Sequence, residues 1–122
     1  QAQVLNLLKK IQEQFNMTYL FISHDLDVVR WVSDRIAVMY CGSIVEIGPE
    51  DNVYKNPYHP YSSLLLNRTI KTPQFNAELT ASLNEFKGCR FYPYCPKATD
   101  KCNIKPELEE VGEGHFVACW QL

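Results

Sequence analysis

Five consecutive residues, Thr18-Tyr19-Leu20-Phe21-Ile22, constrain the fold more than any other part of the chain. The run is short, continuously apolar and β-rich, with polar residues on both sides. Such a run reads as a strand buried on both faces, as in a parallel sheet. Ahead of it, Val4, Leu8, Ile11 and Phe15 recur at helical spacing, Leu5 and Leu7 widen the stripe, and Gln3, Asn6, Lys9, Lys10, Gln12 and Glu13 take the other side. Asn16 ends that amphipathic helix. After the run, Ser23, His24 and Asp25 supply both a strand end and the polar cap of a helix through Leu26, Val28, Val29 and Val32. Helix, strand and helix in that order predict a layered α/β domain.

Arg35-Ile36-Ala37-Val38-Met39 and Ile44-Val45-Glu46-Ile47 flank the turn Tyr40-Cys41-Gly42-Ser43, which predicts a β-hairpin closed by Gly48-Pro49. Pro49-Glu50-Asp51 has proline and acids where a first helical turn favours them, so residues 49–55 read as a short helix. Asn56-Pro57-Tyr58-His59-Pro60-Tyr61 stops it, and Tyr61, Leu64 and Leu65 begin another helix running to about Ile70. From Lys71 the chain turns polar with weak periodicity to about Lys87. Beyond that, cysteines, Pro93, Pro96, Pro106 and two glycines near His115 leave little room for long regular elements. A subdomain boundary is expected between residues 71 and 85.

Apolar residues at 46% and charged residues at 21% are globular proportions and exclude a disordered tail. Twelve Lys and Arg against 14 Asp and Glu leave a charge of -2, so no basic field points to nucleic acid. No apolar run approaches the roughly 20 residues of a spanning helix, and QAQVLNLLKK is neither a signal peptide nor a membrane anchor. The chain lacks an initiator Met and opens in mid-helix with no capping residue, which suggests a piece of something longer.

Cys41 lies alone, whereas Cys89, Cys95, Cys102 and Cys119 share the last third of the chain. No export signal is visible to favour a disulfide framework. Five, six and sixteen residues separate the four, which does not match the close Cys-x-x-Cys knuckles of structural zinc. Four thiolates around one centre suit a 4Fe-4S cluster, and Pro96 directly after Cys95 fits the Cys-Pro habit of ferredoxin loops. The spacing weakens zinc without excluding it, so a cluster, zinc and thiols without metal, reduced or disulfide-linked, are the alternatives. His115 is either a substitute ligand, a donor to a cluster sulfur or, as its ordinary role, a polar loop histidine. Cys41 is incidental. Tyr54, Tyr58, Tyr61, Tyr92 and Tyr94 flank prolines or the cysteine segment; local packing is favoured over a docking surface for them.

By position alone, His24 could aim an imidazole at an anion bound beyond the carboxyl end of a parallel strand, against the plainer role of a polar cap. Its surroundings add a resemblance. Thr18 through Val29, with Ser33-Asp34-Arg35-Ile36-Ala37-Val38-Met39-Tyr40-Cys41-Gly42-Ser43-Ile44-Val45-Glu46, closely resembles the end of an ATP-binding cassette, and more narrowly the ATP-binding subunits of bacterial oligopeptide and dipeptide importers. Asn56-Pro57-Tyr58-His59-Pro60-Tyr61-Ser62-Ser63-Leu64-Leu65 is similar to the segment that follows the cassette there. Gly88-Cys89-Arg90-Phe91, Cys95-Pro96, Cys102, Pro106 and His115-Phe116-Val117-Ala118-Cys119 resemble the C-terminal extension.

The resemblance implies an α/β fold made of the C-terminal part of an ABC-type nucleotide-binding domain over residues 1–70, followed by a small, irregular, cysteine-containing extension over 71–122. It makes His24 the switch histidine that contacts the γ-phosphate of ATP and helps position the attacking water; Ser23 stands where many relatives carry Thr. It associates the extension with an iron-sulfur cluster. ATP and Mg2+ are its cofactors in the parent subunit. Its partners there are a second ATP-binding subunit, transmembrane permease subunits and, indirectly, a peptide-binding protein, at the cytoplasmic face of the inner membrane. None of the five glycines precedes a Lys, so no P-loop is present. A Ser-Gly-Gly signature and an apolar strand ending in Asp-Glu are absent too. The chain alone is expected neither to bind ATP tightly nor to hydrolyse it, and to self-associate through exposed apolar surface. An independent iron-sulfur redox module and a zinc-stabilised interaction module are the rival readings, and the cassette-like first half disfavours both.

Overall fold

In a computed structural model that describes residues 2–67 and 85–122, the first apolar stripe forms helix α1, Ala2–Phe15. Asn16 stops it with a left-handed backbone (φ 53°), and the Met17 N–H returns to the Gln12 carbonyl at 3.1 Å. Helix α2, Leu26–Val32, begins where expected: the Asp25 carboxylate accepts the N–H groups of Asp27 and Val28, each at 3.2 Å. The Ser23 hydroxyl in turn accepts the Asp25 N–H at 3.0 Å. The segment between the helices departs from expectation. Thr18–Ile22 forms no strand, and Leu20 and Ile22 are 90% and 88% exposed. A strand exists through its ladder, and among the described residues no neighbour pairs with this one. These elements form one compact unit, residues 1–34; residues 35–122 form a second.

The second unit is built on a four-stranded sheet in the order β1-β2-β4-β3. Strands β1 (Arg35–Tyr40) and β2 (Ser43–Pro49) make the expected hairpin, while β3 (Glu109–Gly112) and β4 (His115–Val117) make another from the last part of the chain. All pairings are antiparallel, so the sheet is not the parallel one expected from the first run of apolar residues. The first hairpin closes on two left-handed residues, Cys41 (φ 47°) and Gly42 (φ 79°), the backbone of a type I′ turn. Cysteine carries a Cβ into a conformation that favours Asn or Gly, and the Arg90 guanidinium holds it there by donating to the Cys41 carbonyl. Cys41→Asn should therefore raise stability by about 0.5–1 kcal/mol in urea titration, because Asn tolerates this conformation better; a lowered midpoint would count against the strain.

Strand β1 alternates strictly, with Ile36, Val38 and Tyr40 inward. Strand β2 does not, and the cause is a register shift between Val38 and Met39: Met39 pairs with Ile44, yet Val38 pairs with Glu46. Val45 is thus the extra residue of a β-bulge. Without it Glu46 would oppose Ala37 on the exposed face; with it Glu46 shares the buried face with Val38.

Helices α3 (Glu50–Lys55) and α4 (Pro60–Asn67) follow, separated by the proline segment. The expected extension of α4 to Ile70 and the expected boundary between 71 and 85 fall at least partly outside the described residues. Among the described residues after 85, regular structure besides β3 and β4 consists of 3-10 turns at Tyr92–Tyr94, which holds Pro93, and Asp100–Asn103. The core joins the first hairpin, α4 and the segment after residue 85. Tyr40 meets Tyr61 at 4.6 Å and Phe91 at 5.2 Å between ring centroids, and Tyr61 meets Phe91 at 5.5 Å. The segment after residue 85 is therefore part of the hairpin's own core. Among the described residues no helix is long and apolar enough to cross a membrane.

Candidate functional site

Among the described residues one carboxylate and two imidazoles are buried inside this unit: Glu46, His59 and His115, exposed by 0%, 1% and 3%. They form one node. Glu46 Oε1 meets His115 Nε2 at 2.6 Å and accepts the Tyr58 N–H at 3.1 Å, while Oε2 accepts the His59 N–H at 3.0 Å. The bulge turns Glu46 inward, the Asn56–Pro60 segment brings two backbone donors to it, and β4 brings the imidazole. Both carboxylate oxygens are engaged, so the node is a three-way tether between hairpin, proline segment and C-terminal strand.

His59 does not aim its ring at Glu46. Its Nδ1 accepts the Tyr61 N–H at 3.0 Å, holding the first turn of α4, and its ring lies 6.0 Å from that of Phe91. Burial pushes the His59 imidazole down to about 4, against an upward pull from Glu46. His115 is not a loop histidine: it sits on β4, hydrogen-bonded to Glu46, with Tyr58 edge-on at 5.3 Å. The ring fits because residue 48 is glycine, where a Cβ would lie 2.9 Å from His115 Cδ2 and 3.2 Å from its Cα. Gly48→Ala should therefore displace the ring from Glu46 and lower unfolding stability by about 1–3 kcal/mol; a variant as stable as wild type in urea would show that the strand shifts freely.

The second assembly is the thiol group. The Cys89 N–H donates to the Cys102 carbonyl at 2.9 Å. The tail is tied over the 3-10 turn at residues 100–103 by the Trp120 indole N–H on the Ile104 carbonyl (2.7 Å) and Gln121 Nε2 on Thr99 Oγ1 (3.2 Å). This brings Cys119 towards Cys102. Burial pushes the thiols of Cys89, Cys95 and Cys119 upward; backbone N–H groups of Phe91, Lys97 and Gln121 respectively pull them back, and the neighbouring cysteines push them up further. The four cysteines lie close enough to act on one another electrostatically. Even so, among the described residues no group of three or more His, Cys, Asp or Glu is arranged to hold a metal ion. The arrangement does not fit the expected cluster or zinc as it stands, and no chemical step is derived through either.

Cys41 is separate from this group, its thiol pushed up by burial and pulled down by Arg90. Of the tyrosines, Tyr61 is packed as expected, and Tyr92 lies 5.9 Å from Phe86 between centroids. Tyr58 and Tyr94 remain 49% and 39% exposed. His24 is exposed in the first unit, one residue ahead of the α2 cap and without the strand expected to precede it.

In the sequence, His24 and the cysteines stand out and Glu46 does not: its one signal is a carboxylate within the apolar run Ile44-Val45-Glu46-Ile47, and strict alternation assigns it to solvent.

The family described as oligopeptide/dipeptide transporter, C-terminal region, matches residues 45–102, which include Glu46, His59 and three of the four clustered cysteines. The oligopeptide transport ATP-binding protein AppF of Bacillus subtilis is 45% identical over 130 positions, covering 98% of this chain and 40% of that protein. The dipeptide transport ATP-binding protein DppF of Haemophilus influenzae is 39% identical, covering 99% of this chain and 40% of that protein. The chain spans about two fifths of the length of these relatives. It belongs to the family of oligopeptide and dipeptide ABC transporter ATP-binding proteins, and corresponds to their C-terminal region.

Proposed function

We propose that the chain serves as the C-terminal part of the ATP-binding subunit that energises peptide import, at the cytoplasmic face of the inner membrane. The observation that carries this reading is its alignment, over 98% of its length, with a protein named for oligopeptide transport ATP binding. His24 is the residue assigned to ATP: exposed and ahead of a capped helix, its ring N–H is available to a γ-phosphate and responds to whether that phosphate is present. The phosphate cradle, the Mg2+ ligands and the signature that faces a second ATP-binding subunit are supplied outside this sequence. Permease subunits, with a peptide-binding protein acting through them, complete the assembly. The Glu46 node supplies rigidity, so that movement of the hairpin is transmitted to the C-terminal extension as one body.

The test compares two preparations. The purified chain should show no ATP turnover above buffer, with or without His24→Ala. In the intact subunit assembled with its permease, His24→Ala should lower ATP hydrolysis by about 10²–10³-fold, the size typical for loss of one donor to developing negative charge. Steady hydrolysis by the pure chain, or unchanged hydrolysis by the intact variant, would overturn the assignment.

A further inference from the structure

Residues 104–108 leave the 3-10 turn at Asp100–Asn103 and run without regular structure into β3, the outermost strand of the sheet. β3 has β4 on one side and, among the described residues, no strand on the other. Among the described residues no backbone–backbone hydrogen bond engages Lys105, Pro106 or Glu107, so the main chain here is open to pairing. Lys105 and Glu107 are exposed, and so are the apolar residues beside them, Ile104 at 65% and Leu108 at 42%. Pro106, at the centre, is buried in its own unit.

The order of these five residues is self-complementary about Pro106. An antiparallel second copy centred on the same proline sets Lys105 against Glu107 of the second copy and Ile104 against Leu108 of the second copy, and two-fold symmetry makes each contact twice. Proline, which has no N–H, then falls on the axis as a non-hydrogen-bonded pair, while residues 105 and 107 become the pair that exchanges main-chain bonds. Other arrangements are penalised. A parallel pairing in register sets lysine on lysine and glutamate on glutamate, and a slip of one residue sets Ile104 on Glu107 or Lys105 on Leu108.

We propose that residues 104–108 are a docking strand for a second copy of this chain, paired antiparallel about Pro106. The occupant follows from charge and shape together, because a second copy supplies the complement of all four flanking side chains at once. Apolar contact beside charged pairs is the ordinary make-up of an interface. The contact is short, so association is weak and sensitive to salt. The inference does not depend on the transport reading, since it uses only this chain's own surface and none of the residues assigned to ATP.

The experiment treats the purified chain, at about 10 μM to 1 mM, a range that captures weak association, with a water-soluble carbodiimide. This reagent joins a lysine to a touching carboxylate with loss of one water. Trypsin cuts after Lys101 and spares Lys105-Pro106, so both partners lie on the peptide of residues 102–122. Each chain holds that peptide once, and a peptide joined to itself therefore comes only from two chains. Mass spectrometry should find this product, with fragmentation placing the link between Lys105 and Glu107, and added salt should reduce it. Sedimentation should show dimer growing over the same concentrations. Lys105→Glu or Glu107→Lys alone should weaken the dimer by about tenfold or more, because each makes two attractive pairs repulsive. An equal mixture of the two variants should associate again, since every pair between them is opposite in sign. That recovery separates a docking contact from a folding defect. Absence of the self-joined peptide at 1 mM, a dominant link through other residues, or a mixture that stays monomeric would overturn the proposal.

Discussion

Glu46→Ala is expected to remove most of the stability of the sheet unit, costing about 3–5 kcal/mol at neutral pH. Three groups lose their partner at once: the His115 imidazole and the backbone N–H groups of Tyr58 and His59. Glu46, His115 and the His59 N–H bond are buried, so water does not replace the carboxylate there without opening the sheet, and each of these two orphaned donors carries a desolvation penalty of about 1–3 kcal/mol. The total is comparable with the whole stability of a small domain. Glu46→Gln tests the cause, because it preserves volume. One end of an amide donates rather than accepts, so at least one buried N–H must face another donor; the loss should fall between wild type and Glu46→Ala. Pairing Glu46→Ala with His115→Ala should give a double-mutant loss smaller than the sum, since the imidazole stranded by one change is removed by the other. Trp120, in a Trp31→Phe background, reports the sheet unit alone in urea titration. Strict additivity, or a Glu46→Gln variant as stable as wild type, would mean that the node is idle.

That prediction rests on what the sequence displayed least clearly. Local rules located α1, α2, the first hairpin and α3, because each carries its signal within a few residues: an apolar stripe ended by Asn16, an Asp25 cap, a Cys41-Gly42 turn, and Pro49 with two acids. Three features escaped for a shared reason, namely that they depend on partners distant in sequence. The apolar run at residues 18–22 has strand composition, but composition supplies no ladder. Val45 is apolar at an apolar position, so nothing local marks it as the residue that turns Glu46 inward; the pairing with Val38 does. His115 reads as a loop residue beside two glycines until β2 lies against β4 with Gly48 under its ring. The cysteines were legible as a group, since the tail folds back over Thr99–Ile104, whereas their fit to a metal was a matter of placement that spacing does not reveal.

Acid should weaken the sheet unit through His59 over a definite window. Its folded imidazole titrates at about 4, against an ordinary value of 6.5, because it is enclosed next to Phe91 and accepts the Tyr61 N–H rather than facing solvent. Burial outweighs the attraction of Glu46, which would favour the charged ring. The unfolded chain therefore binds a proton that the folded one refuses between pH 6.5 and about 4, and stability must rise with pH across that interval. The contribution is fully present above 6.5 and is lost as pH falls to about 4, a change of about 3 kcal/mol at 1.36 kcal/mol per pH unit. Protonation also costs a hydrogen bond, because a charged imidazole has no lone pair for the Tyr61 N–H. His59→Asn is the informative variant: its side-chain oxygen replaces Nδ1 as acceptor and does not titrate. It should be less stable than wild type at pH 7 from lost packing on Phe91, yet it should lose about 3 kcal/mol less on acidification. Side chains other than residue 59 are common to both proteins, so the comparison isolates this position. Urea midpoints measured from pH 7 down to 4 give the two slopes, and parallel slopes would show that His59 is not the buried neutral base whose hydrogen bond starts α4.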